Sequence, residues 1–419
     1  MKPLVVTLAF NFYFTALLGQ YNLYKGGVDQ YNAGKFTEAV SSLSTYLEKN
    51  TRDKKLDVEA YYVRGMAFYK NSAYSKAVDD FNQALTLGRK NTGNLHWLIG
   101  KCQSAVGEND MATESYAEAL PFLTDPKKQA QLLFDRAIAY RRIQQKDLAE
   151  ADLKRALLLN PEHYLAQEAL AEIVSSTNQA LSKKSPDASA SKRVALIIGN
   201  GKYAEPAGQL KNPVNDAVAV AAELKKLKFE TVVKVNLSAD EIKKAIRAFH
   251  ALLKETNPAN TIALFYYAGH GLQVDGTNYM IPVDVVIHDE KEIEKLCVTM
   301  DAALDAMQYA DVKMSIMILD ACRNNPFPST AEKIMRGLAP PNPAVGAFIG
   351  YATAPGSVAS DGAGANGLYT QELVKVLRIP GLSIEQVFKK VRENVLTLSR
   401  GKQHTWDTSN LIADFYFNK

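Results

Sequence analysis

The stretch Phe265-Tyr266-Tyr267-Ala268-Gly269-His270-Gly271 is an apolar run that reaches a histidine between two glycines, and it predicts a buried strand. A second such run, Ile318-Leu319-Asp320-Ala321-Cys322-Arg323, reaches a cysteine 52 residues after His270. Because parallel strands of an open α/β sheet gather reactive groups at their carboxyl ends, both side chains are expected at one sheet edge. A histidine beside a cysteine can take the thiol proton and later return a proton to a leaving amine. The pair therefore predicts Cys322 as a nucleophile and His270 as its base.

From Arg193 onward, apolar runs of strand length alternate with helical patterns. Strands are expected over 194–199, 231–235, 261–267, 315–319 and 347–351. Helices are expected over 214–228, 239–255, 301–309, 367–377 and 384–398. Strands separated by helices predict a mostly parallel sheet with helices on both faces.

Between residues 20 and 174, small residues recur at matched positions: Gly27, Gly65, Gly100 and Ala137, then Ala39, Ala77, Ala112 and Ala149, each 12 residues later. Bulky residues follow at Leu43, Phe81, Tyr116 and Leu153. A period of about 34 to 38 residues is typical of tetratricopeptide (TPR) repeats, in which small residues let paired helices approach closely. We expect about four repeats in an all-α superhelix whose groove binds a protein or peptide; a packed spacer is the alternative. Residues 175–192 predict a flexible linker to a domain over 193–419.

Composition excludes several classes of function. A formal net charge of +4 is small for 419 residues and does not indicate a nucleic-acid or membrane-surface protein. Three cysteines cannot form a disulfide framework, and Cys102 and Cys297 are expected to be buried apolar residues. No Cys/His spacing predicts a metal site, and the proposed chemistry requires no cofactor.

Residues 1–19 form a separate N-terminal segment. Lys2 precedes an apolar stretch that ends at Leu18, and Gly19 is a small residue at the end of this stretch. This pattern predicts a secretory signal peptide and therefore a periplasmic or secreted protein. Leu17 is larger than the cleavage signal prefers, so an uncleaved membrane anchor and a cytoplasmic protein are the alternatives.

Residues 193–418 resemble the caspase-like cysteine peptidases, a clan of caspases, paracaspases and metacaspases, and within it the bacterial orthocaspase-like group. The resemblance is carried by VALIIGN (194–200), LKNPVNDA (210–217), FYYAGHGLQVDGTNYMIPVD (265–284), ILDACRNNPF (318–327) and YATAPGSVASDG (351–362). It implies a caspase-like α/β fold with His270 as base and Cys322 as nucleophile. The backbone N–H groups of Gly271 and Cys322 are the expected donors to an oxyanion.

The same resemblance implies an acidic pocket for the substrate side chain before the scissile bond (P1). Where caspases have an arginine that binds aspartate, this chain has Asp361. Asp320 and Asp216 correspond to pocket acids of metacaspases and paracaspases. Three carboxylates in one pocket favour Arg or Lys at P1. The alternative for each aspartate is a turn or helix cap.

Two further segments carry hypotheses. Residues 324–347 contain five prolines and predict an exposed loop without regular structure. Lys333 and Arg336 in this loop are candidate self-cleavage sites. The acidic residues 289–294 suggest calcium activation, as in some metacaspases, but lack the spacing of a calcium loop; a solvated charged helix is the favoured interpretation.

The sequence thus favours an endopeptidase that cleaves after Arg or Lys. Two alternatives remain. One is a non-catalytic scaffold, in which the caspase-like fold serves only for interaction. The other is a thiol-dependent acyl transferase, which would use the same Cys–His pair with an acceptor other than water.

Overall fold

The structure is a computed structural model and describes residues 19–49, 53–178, 192–204, 207–274, 277–322, 334–335, 338, 346–354, 364–411 and 413–419. The chain divides into two compact units, Met1–Ser182 and Lys183–Lys419. The predicted signal peptide, except for Gly19, and most of the predicted linker lie outside the described residues. No helix in the described ranges is long and apolar enough to cross a membrane.

The N-terminal unit consists of consecutive helices. They are α1 (19–32), α2 (Phe36–Glu48), α3 (Lys54–Lys70), α4 (Tyr74–Thr86), α5 (Thr92–Ala105), α6 (Asn109–Ala119), α7 (Pro126–Arg142), α8 (Lys146–Leu159) and α9 (Tyr164–Asn178). Because α9 extends to Asn178, the first residues of the predicted linker are helical, contrary to the prediction.

The predicted pairing of small and bulky residues holds the helices of each repeat together. A Cβ added to Gly27 would lie 2.6 Å from Leu43 Cγ, one on Gly65 2.8 Å from Phe81 Cδ1, and one on Gly100 2.6 Å from Tyr116 Cδ1. Since real Cβ atoms do not approach other atoms this closely, each glycine permits the bulky side chain to pack on the neighbouring helix. The repeat architecture is therefore confirmed at the level of side-chain packing.

The C-terminal unit has a sheet flanked by helices. Its strands, within the described residues, are β1 (Lys192–Gly199), β2 (Glu230–Val235), β3 (Thr261–Val274), β4 (Thr277–Met280), β5 (Val298–Thr299), β6 (Met314–Cys322), β7 (Ile334–Met335), β8 (Ala347–Tyr351) and β9 (Trp406–Ser409). Its helices are α10 (Pro213–Lys226), α11 (Ala239–Lys254), α12 (Glu290–Leu296), α13 (Asp301–Tyr309), α14 (Leu368–Leu377) and α15 (Ile384–Leu398).

The main sheet has the strand order β2-β1-β3-β6-β8-β9. β1 pairs in parallel with β2 and β3, and β6 pairs in parallel with β3 and β8, while β9 is antiparallel to β8. One face packs on α10, α14 and α15 through a core that includes Ile197, Leu264, Ile316 and Phe348. The predicted mostly parallel α/β fold is confirmed.

Two predictions about β3 and its surroundings were wrong. β3 does not end near His270 but continues to Val274, because its last residues form an antiparallel hairpin with β4. The loop predicted without regular structure contains β7, which pairs with Gln273 and Val274 at the end of β3. α12, by contrast, is the charged helix expected over residues 289–294.

Candidate active site

His270 and the backbone of Cys322 lie side by side on neighbouring strands. In the parallel pairing of β3 with β6, the last matched pair is His270 with Cys322. Beyond this pair, β3 leaves the parallel ladder and enters its hairpin with β4. The two predicted catalytic residues therefore meet at the same edge of the sheet, where the parallel ladder ends.

His270 is 95% buried, and its imidazole is oriented by the loop that follows β1. His270 Nε2 lies 3.2 Å from the carbonyl oxygen of Gly208. A carbonyl oxygen only accepts hydrogen bonds, so Nε2 carries the proton and Nδ1 has the basic lone pair. Gly208 has φ +74°, a left-handed conformation that glycine adopts without strain. The loop thus fixes both the tautomer and the plane of the ring.

Two tyrosine hydroxyls bind the peptide groups of His270. The His270 N–H donates to Tyr203 Oη at 2.7 Å, and Tyr267 Oη donates to the His270 carbonyl at 2.8 Å. The Tyr203 ring also packs on the imidazole, with ring centroids 4.5 Å apart. A Cβ on Gly269 would lie 2.5 Å from Tyr203 Oη and 2.8 Å from Tyr267 Oη, so the residue before the histidine must be glycine. We call the Tyr203 and Tyr267 side chains the tyrosine clamp.

The amide of Gly271 faces the strand that carries Cys322. Ile281 N–H donates to the His270 carbonyl at 3.1 Å, which makes these two residues a directly bonded pair of the β3–β4 hairpin. Polar groups alternate sides along an antiparallel strand. The Gly271 N–H is therefore directed away from β4, toward the side on which β6 and β7 pair with β3. The predicted oxyanion donor Gly271 therefore lies on a strand whose N–H at this position is directed toward β6.

Asp216 and Asp320 come together although they are 104 residues apart in the sequence. A Cβ on Gly367 would lie 3.3 Å from Asp216 Oδ2 and 3.7 Å from Asp320 Oδ2. The absence of a side chain at Gly367 therefore leaves the space between the two carboxylates open. Asp216 Oδ1 also accepts from Asn366 Nδ2 at 2.8 Å and from the Gly367 N–H at 3.0 Å, so this aspartate holds the start of α14 in place.

The structure does not describe three of the predicted site residues. Asp361, Lys333 and Arg336 lie outside the described residues. Cys102 and Cys297 are buried and free, as predicted, and burial raises the pKa of the Cys297 thiol to about 12. Among the residues that the structure describes, no group of three or more His, Cys, Asp or Glu side chains is placed to hold a metal ion.

Sequence reasoning missed the residues that orient the site: Tyr203, Gly208, Tyr266, Asn366 and Thr370. Gly208 had a weak signal, since a glycine in a loop often marks a left-handed residue. The others had none, because an isolated Tyr, Asn or Thr does not reveal its distant hydrogen-bond partner.

Comparisons with protein families agree with this architecture. Residues 192–416 match the family described as "Caspase domain". Residues 24–92 and 130–163 match families described as "Tetratricopeptide repeat". The first match covers more than half of the chain.

Two curated relatives match one part of the chain. Mucosa-associated lymphoid tissue lymphoma translocation protein 1 of Homo sapiens is 29% identical over 216 residues, and its Mus musculus homolog is 28% identical over 216 residues. Each match covers 50% of this chain but only 25% and 24% of the relatives' length. Among solved structures, the crystal structure of MamA aligns with a TM-score of 0.32 and 14% identity, covering 36% of this chain and 84% of that one. A TM-score this low does not establish a shared fold.

Proposed function

Because the chain belongs to the caspase-domain family and has tetratricopeptide repeats in its N-terminal part, we propose that it is a cysteine endopeptidase that cleaves after Arg or Lys. The observation that carries this proposal is the pairing of His270 with Cys322 at the end of the β3–β6 parallel ladder. This pairing places the backbones of the expected base and nucleophile side by side on neighbouring strands, which supports the proposed Cys–His pair.

In the proposed reaction, Nδ1 of His270 takes the thiol proton of Cys322. The thiolate attacks the scissile carbonyl carbon, and the N–H groups of Gly271 and Cys322 stabilise the oxyanion. As the C–N bond breaks, His270 gives its proton to the leaving amine and a thioester remains. Water then loses a proton to His270 and attacks the thioester, which releases the acid and restores the thiol. The route needs no cofactor.

The preference for a basic P1 side chain is supported by the two carboxylates beside Gly367. Asp216 and Asp320 lie on the α14 side of the sheet, and Asp320 is two residues before Cys322 on β6. An arginine or lysine that enters between them replaces repulsion of like charges by attraction. We include Asp361 as a third pocket acid on the family resemblance.

We also propose that the N-terminal unit recruits protein substrates or holds the peptidase inactive until a partner binds. Stacked repeats present an extended surface that suits a peptide or protein ligand. Turnover by fragment 193–419 distinguishes the two roles. Faster peptide cleavage by the fragment than by the whole chain indicates autoinhibition. Slower cleavage of a protein substrate by the fragment, with peptide cleavage unchanged, indicates recruitment.

Export is a further proposal, on the apolar segment that follows Lys2. Detection of the protein in a periplasmic or secreted fraction would support it. A chain found only in the cytoplasm with its N-terminus intact would contradict it.

The test of the proposed function is turnover of matched fluorogenic peptides with Arg, Lys or Asp at P1, in reductant, with and without calcium. We expect cleavage of the Arg and Lys peptides, and its loss in Cys322→Ala and His270→Ala. Cys297→Ala is the matched control, because it removes a buried thiol from the same unit.

Cleavage of the Asp peptide would overturn the pocket assignment but keep the peptidase. Cleavage that survives Cys322→Ala would overturn the catalytic assignment. Failure to cleave any peptide, by the whole chain and by fragment 193–419, would favour the non-catalytic scaffold. Transfer of the acyl group to an added amine in preference to water would favour the acyl transferase.

A further inference from the structure

Two buried hydroxyl groups are linked to Asp320 by consecutive hydrogen bonds. Tyr266 on β3 and Thr370 on α14 both have side chains with no exposed surface. Tyr266 Oη lies 2.6 Å from Thr370 Oγ1, and Thr370 Oγ1 lies 2.7 Å from Asp320 Oδ2. Tyr266 Oη is 3.5 Å from the same carboxylate oxygen, too long for a strong hydrogen bond. Thr370 is therefore the close contact, and Tyr266 acts through it.

The direction of these hydrogen bonds follows from the groups involved. An ionised carboxylate only accepts, so Thr370 donates its single hydroxyl hydrogen to Asp320. Thr370 must then accept from Tyr266. Burial, together with the negative charges of Asp320 and Asp216, raises the pKa of Tyr266 well above its ordinary value, so the phenol keeps its hydrogen. The Thr370 hydrogen is consequently directed at the carboxylate and the Tyr266 hydrogen at Thr370 Oγ1, and these linked hydrogen bonds favour the charged form of Asp320.

The same helix forms one side of the space between the acids. Gly367 immediately precedes α14, and Thr370 lies within its first turn. Thr370 thus fixes one oxygen of Asp320 from the helix that also leaves the space for an incoming side chain open. A freely rotating carboxylate would lack this orientation, so that binding a cation would cost side-chain entropy.

We propose that Thr370, supported by Tyr266, is a positioning residue that determines specificity: it holds the Asp320 carboxylate charged and correctly turned, so that the pocket selects a cationic P1 side chain over a neutral one of the same shape. This proposal rests on the proposed peptidase function and adds two residues to the pocket that the family resemblance does not supply. It predicts that removing the Thr370 hydroxyl changes selectivity rather than catalysis in general.

The experiment compares kcat/KM for two peptides that differ only in arginine or citrulline at P1, since citrulline keeps the shape and lacks the charge. In Thr370→Val, the arginine peptide is expected to lose about tenfold in kcat/KM, the size of one hydrogen bond to a charged group, while the citrulline peptide is unchanged. Thr370→Ser keeps the hydroxyl and should stay within about twofold of the wild type. Tyr266→Phe should fall between them.

Tyr369→Phe is the matched control. Tyr369 is the neighbour of Thr370 on α14, and its buried hydroxyl has no hydrogen-bond partner among the residues that the structure describes. It should leave the ratio of arginine to citrulline turnover unchanged. Thermal unfolding of every variant reports whether the unit is still folded.

The outcomes separate the two proposals. If the wild type cleaves the arginine peptide and Thr370→Val keeps the wild-type ratio, the role of Thr370 is overturned and the peptidase stands. An equal fall for both peptides, or a fall that Thr370→Ser does not rescue, indicates a structural residue and also overturns it. If the wild type cleaves neither peptide, the proposed function fails first, and this inference fails with it.

Discussion

Two aspartates of the N-terminal unit and two of the C-terminal unit accept hydrogen bonds from different kinds of donor. In the N-terminal unit, Arg64 binds both oxygens of Asp80, through Nε and Nη2 at 2.8 Å each. Arg136 binds both oxygens of Asp152 at 2.7 Å in the same manner. In the C-terminal unit, Asp216 accepts from an amide side chain and a backbone N–H, and Asp320 accepts from hydroxyls.

The two kinds of donor indicate different roles for the two sets of aspartates. A bidentate guanidinium neutralises a buried carboxylate and fixes its position, so the pair acts as a structural unit. Neutral donors fix the position of a carboxylate and do not cancel its charge. The first arrangement joins two helices of one repeat, whereas the second places two carboxylates beside Gly367, where we propose that a basic P1 side chain binds.

The sequence periodicity supports the structural role of the arginine pairs. Each pair is 16 residues apart and occupies equivalent positions in the second and fourth repeats. The equivalent positions in the first and third repeats hold Gly26 with Ser42 and Ile99 with Ser115, which carry no charge. Arginine and aspartate therefore occur or are absent together.

The largest expected effect is on stability in the N-terminal unit. Arg64→Met leaves the carboxylate of Asp80 buried without its cation, which should cost about 3–5 kcal/mol in the free energy of unfolding. The double variant Arg64→Met with Asp80→Leu should recover most of this loss, because both charges are then removed. Denaturant unfolding of the whole chain, followed by far-UV circular dichroism, measures both. An Arg64→Met variant as stable as the wild type would contradict the structural role of the Arg64–Asp80 pair.

The second effect is on recognition in the C-terminal unit. Asp320→Asn keeps the shape of the side chain and removes its charge, and should lower kcat/KM for an arginine peptide about 100-fold, or about 2.7 kcal/mol. The free energy of unfolding should change by less than about 1 kcal/mol, since the asparagine oxygen can still accept from Thr370. Asp311→Asn, at an exposed turn of the same unit, is the control. A large loss of stability without a change in selectivity would make Asp320 a structural acid like Asp80.

A smaller effect concerns the tyrosine clamp. Tyr203→Phe keeps the ring that packs on His270 and removes the oxygen that accepts its N–H. We expect kcat to fall about tenfold with KM little changed, because an orphaned buried N–H costs on the order of 1–3 kcal/mol and loosens the base. Steady-state kinetics on the arginine peptide measure this. A rise in KM alone would place Tyr203 in substrate binding instead.

The smallest effect is a pH dependence confined to the N-terminal unit. Burial lowers the pKa of His163 from its ordinary value of 6.5, against a smaller opposing effect of Asp135. The unfolded chain therefore binds a proton at higher pH than the folded chain does, and stability falls as pH drops below 6.5. His163 Nδ1 accepts the Ala166 N–H at 3.3 Å, an acceptor that asparagine can replace.

The check is the melting temperature of wild type and His163→Asn from about pH 7.5 to about pH 5.5. The wild type should lose more stability on the acid side than the variant. Parallel curves would show that His163 does not contribute to the acid sensitivity of the repeats.

Much of the fold was predictable because its signals are local. The core strands are apolar runs bounded by helices, and the repeats have a fixed period, so β1, β8 and α13 lie where the sequence predicts them. Three short strands, β4, β5 and β7, were not predicted from the sequence. They have two to four residues, too few for a periodic pattern. The dipeptide Asp275-Gly276, typical of hairpin turns, was their strongest sequence signal.

The site was predictable only in part. His270, Cys322, Asp216 and Asp320 occur in motifs that the sequence displays. Thr370 and Tyr203 do not, since their roles depend on residues 50 and 67 positions away that they contact only in the folded chain. Hydrogen bonds between distant side chains leave no periodicity, so the residues that orient the catalytic and binding groups emerge from the structure alone.

Covalent trapping of the nucleophile tests the assignment of Cys322 and of the basic P1 preference together. An acyloxymethyl ketone peptide with arginine at P1 is incubated with the reduced whole chain, and the modified residue is located by peptide mapping and mass spectrometry. We predict a single adduct on Cys322, absent in His270→Ala and absent with the matched probe that has aspartate at P1. Labelling that is equal for both probes, or that falls on Cys102 or Cys297 instead, would contradict the assignment of a basic-specific cysteine peptidase.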